Sequence, residues 1–117
     1  MKIILDRKAF NEAITHVARA VSTKSTIPAL EGIMILTEEE RIKLVSYNLE
    51  IGMTTTLDAR IMESGEIIIN AHLLCDIVRR LPGEEITLST DDKNICHIES
   101  GSAKFDIMGM DTAECRR

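Results

Sequence analysis

The chain has 117 residues, 28% of them charged and 44% hydrophobic, with a formal net charge of −5. One domain of this length buries ~65–70% of its unfolded surface, and its apolar content excludes a disordered tail. The longest apolar runs, such as Ile33-Met34-Ile35-Leu36, fall far short of the ~18 residues of a membrane span.

Residues 2–5 are predicted as a short strand, and Asp6 as the cap of a helix running to about Val21. Phe10, Ala13, Ile14, Val17, Ala18 and Val21 recur at helical spacing on one face, with Lys8, Glu12, Thr15 and Arg19 opposite. Residues 22–31 are rich in Ser, Thr and Pro and are expected to form a loop. Strands follow at 32–37, 41–47 and 51–59, separated by the charged turn Glu38-Glu39-Glu40 and a turn at Asn48. In the last of these, Ile51, Met53, Thr55 and Leu57 alternate with smaller or more polar residues, as in a half-buried strand.

The order then repeats. A short Ile-rich strand at 66–69 leads to Asn70, in the place that Asp6 held 64 residues earlier. A helix is predicted to Leu81, with Leu74, Ile77, Val78 and Leu81 inward and His72, Asp76 and Arg79 outward. Pro82-Gly83 ends it. Strands at 85–90, 94–99 and 103–109 complete a βαβββ-βαβββ pattern, with repeats at about 1–61 and 62–110. The expected fold class is α+β: one domain over 1–117, eight strands, and two helices packed on one side of antiparallel sheet.

Taken whole, an acidic chain with only Phe10, Tyr47 and Phe105 as aromatics argues against a nucleic-acid binder. The charge is uneven, however. Residues 6–24 carry +2 and residues 70–81 carry +1, which leaves −8 on the remainder. Basic helices beside acidic sheets and turns fit a protein that tolerates nucleic acid along its helices alone. Cys75, Cys96 and Cys115 include no Cys-x-x-Cys pair, and His16, His72 and His97 show no ligand spacing, so neither a metal site nor a cofactor is expected. Cys96 and His97 adjoin in a strand and so point to opposite faces, which excludes a simple nucleophile–base pair. The cysteine usage and the opening Met1-Lys2-Ile3 lead to the expectation of a reducing cytoplasm and no secretory leader.

Several ordered motifs carry a resemblance. They are Met1-Lys2-Ile3; Lys24-Ser25-Thr26-Ile27-Pro28-Ala29-Leu30; Asn48-Leu49-Glu50-Ile51; Arg79-Arg80-Leu81-Pro82; and Ala103-Lys104-Phe105-Asp106-Ile107 with Met110-Asp111. Along nearly all its length the chain resembles the amino-terminal domain of the bacterial sliding clamp, the beta subunit of DNA polymerase III. That resemblance implies a ring of such domains around duplex DNA, with helices lining the hole and no catalysis of its own. Polymerase and clamp loader would be partners of the full-length protein. It implies DNA contact at Lys24, His72, Arg79 and Arg80, with His72 in place of a residue that is often Arg. It also implies that Phe105 and Ile107 help close the ring against a neighbouring subunit.

The sequence departs from the family pattern in two further places. Asn48 replaces Asp, and the ending Ala113-Glu114-Cys115-Arg116-Arg117 stands where an apolar residue and Pro normally lead into the next of two further domains. A second expectation therefore stands beside the first: a clamp-like interaction module that binds an intact clamp without encircling DNA.

Overall fold

The alternating and helical runs of the sequence fold, in this computed structural model, into two helices and nine strands over the described residues, 1–21, 31–47 and 51–112. Most of the predicted loop at 22–31, the Asn48 turn and the chain end at 113–117 lie outside the described residues. The elements are β1 (Lys2–Asp6), α1 (Arg7–Ala18), β2 (Gly32–Thr37), β3 (Arg41–Tyr47), β4 (Gly52–Asp58), β5 (Arg60–Glu63), β6 (Glu66–Asn70), α2 (Ala71–Arg80), β7 (Glu85–Thr90), β8 (Ile95–Ser100) and β9 (Ala103–Met108).

The α+β reading and the antiparallel pairing hold, with two differences. A ninth strand, β5, follows β4, and the strands divide into two sheets in the orders β5-β1-β7-β8-β9 and β4-β3-β2-β6. The first strand of each half pairs with the other half. Strand β1 lies against β7 with Leu5 opposite Ile86, and β6 lies against β2 with Ile69 opposite Ile33. Helical and strand periodicity tells which face of an element is buried but not which strand it meets, so this exchange is invisible to pattern.

Both helices begin as the sequence predicts. Asp6 Oδ2 accepts the Ala9 N–H at 2.9 Å, and Asn70 Oδ1 accepts the Leu73 N–H at 3.0 Å. Each cap satisfies a backbone donor that the first turn leaves free. Regular α-helix stops at Ala18 rather than Val21, because the N–H groups of Ala20 and Val21 bond three residues back, to Val17 and Ala18. Helix α2 stops at Arg80. Leu81 precedes Pro82 and is extended, with ψ 132°, as the proline ring requires.

One hydrophobic core joins both helices to the inner faces of both sheets. Phe10, Ile14 and Val17 of α1 and Leu74 and Val78 of α2 are fully enclosed, together with Ile3, Ile35, Leu44, Ile67, Ile69, Leu88 and Ile98. Each such side chain contributes roughly 1.5–3 kcal/mol of burial. Strand β2, apolar along nearly all its length, is internal to its sheet. The buried Ser46 hydroxyl on β3 donates to the Val17 carbonyl and fixes the last turn of α1 to the sheet.

Beyond β9 the chain crosses to the second sheet. Met110 and Ile68 exchange N–H···O bonds of 2.8 and 3.1 Å, which covers the β6 edge and leaves Ile68 only 1% exposed.

Candidate nucleic-acid interface

The helices run antiparallel. At one end the Arg7 N–H and Nε donate to the carbonyls of Glu84 and Gly83, each at 2.8 Å, and bind the start of α1 to the exit of α2. At the other end Ala18 and Val21 meet Ala71, His72 and Cys75 around a shallow groove of about 190 Å³. The paired helices therefore present one continuous outward surface. On α1 it carries Lys8, Glu12, Thr15, His16 and Arg19, all exposed. On α2 it carries His72, Leu73, Asp76, Arg79 and Arg80, also exposed.

The predicted cations occupy different situations on that surface. Lys24 lies outside the described residues. His72 stands in the first turn of α2 at the rim of the groove. Arg79 is not free: its guanidinium donates to Asp76 Oδ1 at 2.6 Å, an i,i+3 pair with both side chains more than half exposed. An exposed pair of this kind contributes ~0–1 kcal/mol to stability, and a phosphate approaching Arg79 meets the negative charge of Asp76 beside it. Arg80 makes no ion pair with any described residue. Arg7 is half-buried, and its Nε donates to the Gly83 carbonyl, so part of its guanidinium serves the fold. The Asp76–Arg79 pairing was legible from its spacing, since residues three apart adjoin on a helix.

Phe105 and Ile107 lie on β9, at the edge of the five-stranded sheet. Their side chains turn inward and pack on the core while remaining half-exposed. Lys104, Asp106 and Met108 alternate with them on the outer face, and Met108 is 70% exposed. Strand β9 bonds to β8 on one side and to no described strand on the other.

The acidic residues gather elsewhere. Glu38, Glu39 and Glu40 fill the β2–β3 turn, and Asp91 and Asp92 the β7–β8 turn. A cleft of about 810 Å³ has five carboxylates against Arg41 and Arg60 in its lining. That sign of charge repels a polyanion. Among the described residues no three His, Cys, Asp or Glu side chains converge as metal ligands, and no helix is long and apolar enough to cross a membrane. Burial raises the Cys75 thiol and pushes Cys96 up to about 12, so neither is a ready thiolate. Cys96 is buried while the neighbouring His97 faces outward, the opposed geometry that their adjacency predicts.

Residues 1–116 match the family model described as DNA polymerase III beta subunit, N-terminal domain. The chain is 31% identical over 125 residues to the beta sliding clamp of Halalkalibacterium halodurans, covering 100% of this chain and 33% of that protein. It is 33% identical over 119 residues to the beta sliding clamp of a Synechocystis species, covering 95% and 30%. Among solved structures, the DNA polymerase sliding clamp of Bacillus subtilis superposes with a TM-score of 0.96 at 25% identity, over 100% of this chain and 33% of that one. The sliding clamp of Caulobacter crescentus gives 0.91 at 30% identity, over 97% and 31%. The chain thus spans about a third of the length of the relatives it matches.

Proposed function

The chain belongs to the family of the DNA polymerase III beta subunit, N-terminal domain, and we propose that it acts as a sliding-clamp domain whose paired helices meet duplex DNA. The observation that carries this reading is the helical surface itself. Two antiparallel helices offer Lys8, Arg19, Arg79 and Arg80 on one side, while the carboxylate clusters sit on turns and in the cleft. Lys24, His72, Arg79 and Arg80 are the contacts proposed. Phosphate contacts of this kind attract any sequence alike, and a surface with no base-reading element holds no register. The partial neutralisation of Arg79 by Asp76 keeps that attraction low, which suits a protein that moves along its ligand.

Residues 1–117 then form one clamp-type domain with repeats at about 1–61 and 62–110. Phe105 and Ile107, half-exposed on an open strand edge, are the proposed contact with another clamp domain in a head-to-tail ring. Polymerase and clamp loader engage the full-length assembly, in the cytoplasm. Nucleotidyl transfer belongs to the polymerase, and this domain supplies retention on the template. The same open edge supports the second reading, a module that docks on an intact clamp, and a pull-down with such a clamp tests it.

DNA contact is tested by fluorescence anisotropy with random-sequence duplexes at low salt. The Lys24→Glu/Arg79→Glu variant is expected to bind at least ~10-fold more weakly, with the slope of log K against log salt reduced by about two. Unchanged affinity and slope in a variant with a native circular dichroism spectrum overturn the assignment.

A further inference from the structure

The β8–β9 hairpin carries a charged cluster that the helical surface does not use. His97 faces outward from β8 in a row that runs from Lys2 on β1 through Ser89 on β7 to His97 and then Asp106 on β9. Its Nδ1 lies 2.6 Å from Asp106 Oδ1, and its Nε2 lies 3.2 Å from Asp91 Oδ2 in the β7–β8 turn. Asp91 is itself anchored, because its Oδ1 accepts the N–H groups of Lys93 at 2.8 Å and Ile95 at 3.1 Å. A neutral imidazole has one N–H and one lone pair. It can donate to one of these carboxylates only, and turns a lone pair toward the other. The imidazolium donates to both.

We propose that His97 is a proton-operated clasp that, as imidazolium, ties the edge strand β9 and the β7–β8 turn to β8, and that releases β9 on losing its proton. The groups facing the ring are few. The turn contributes Asp91, Asp92 and Lys93; β9 contributes Asp106 and Lys104; β8 contributes Glu99; β7 presents the uncharged Ser89, with Lys2 one strand further. Lys104 is engaged by Glu99 at 3.7 Å, so the cation nearest on β9 is partly neutralised. Asp106, and after it Asp91, raise the pKa of His97 above the ordinary imidazole range. The N–H groups of Ile95 and Lys93 hold Asp91 below the usual carboxylate range, so it is ionised wherever the clasp operates. The stabilising effect of the clasp is therefore complete below the ordinary imidazole range and is lost as pH rises through the raised value. Asp106 sits between Phe105 and Ile107, so an open clasp loosens the strand that bears both.

Hydrogen exchange of the β9 amides that bond to β8, corrected for intrinsic rates, tests this across roughly pH 5.5 to 9, with the His97 ring followed by NMR. Protection is expected to fall as the ring loses its proton, about tenfold for each pKa unit between closed and open forms, while the β2 and β6 amides stay constant. His97→Gln, which cannot change charge, should give a flat profile at the released level. Asp106→Asn should return the His97 titration toward the ordinary imidazole range, and this reading decides the matter if His97→Gln does not fold. Protection of β9 with no step at the His97 titration, or a step that survives in His97→Gln, overturns the proposal.

Discussion

The two halves of the chain solve one problem in different ways. After its third consecutive strand, each half bends at a single residue and crosses to the other sheet to lie beside its own first strand. In the first half the bend is Ala59, whose N–H donates to the Glu40 carbonyl at 3.2 Å; in the second it is Gly109, whose N–H donates to the Asn94 carbonyl at 2.8 Å. Both acceptors immediately precede the middle strand of the three. The first return is a full strand, β5, which pairs with β1 through Ile3 opposite Ile61 and Ile4 opposite Arg60. The second is one bridge, Met110 to Ile68. The first half covers its strand with length and a charged rim, the second with close apolar fit. An uncovered strand edge invites foreign pairing, so both devices answer the same hazard.

The tightness of the second return dictates its residue. A Cβ on Gly109 would stand 2.3 Å from Ile67 Cδ1 and 3.0 Å from the Asn94 carbonyl oxygen, whereas the first return accommodates the Cβ of Ala59.

The largest test concerns what the halves share. Phe10 and Leu74 are equivalent, each four residues beyond its cap and fully buried. Phe10→Ala is expected to cost about 3–5 kcal/mol and Leu74→Ala about 2–5 kcal/mol, read from urea midpoints; a loss confined to one helix would break the equivalence. Next comes what they do not share. Gly109→Ala should cost about 1–3 kcal/mol through overpacking against Ile67, and Ala59→Gly only about 0.5–1 kcal/mol through backbone entropy. Equal costs in thermal melts would mean that the two bends are not constrained differently. The smallest effect is at the caps, where Asp6→Ala and Asn70→Ala should each remove ~1 kcal/mol and shift the melting temperature alike.

What the sequence made legible follows from what repeats locally. Helical spacing located α1 and α2, side-chain oxygens at Asp6 and Asn70 located their starts, and Pro82 located the end of α2. The position of Gly101, with φ +57° in the β8–β9 turn, was legible as a turn. Counting back from it places His97 opposite Asp106, a pairing within reach of the sequence once the register is taken seriously. Strand β5 escaped because four residues with two charges and one inward Ile61 carry too little alternation. The exchange of first strands escaped because nothing in Lys2–Asp6 encodes a preference for β7 over β2. At the helical surface, residue identity located the cations. Their availability depended on neighbours, with Arg7 bonded to carbonyls across the helix pair and Arg79 held by Asp76.

The exchanged first strands bear on how the molecule assembles. Lys2 faces Ser89 across the ladder, so β1, which can meet β5 within its own half, cannot join the rest of its sheet until the second half has been made. A chain cut in the turn at Ser64 would yield one fragment with β2, β3 and β4 of one sheet and β1 and β5 of the other, and a second with β7, β8 and β9 of one sheet and β6 of the other. Neither piece has a complete layer to fold upon, and each is the template for its counterpart. Mixed together, they should restore one another's structure, while either alone stays open. Non-local pairing of this kind slows folding, and here it also couples the halves, so the domain gains and loses its order as a single unit.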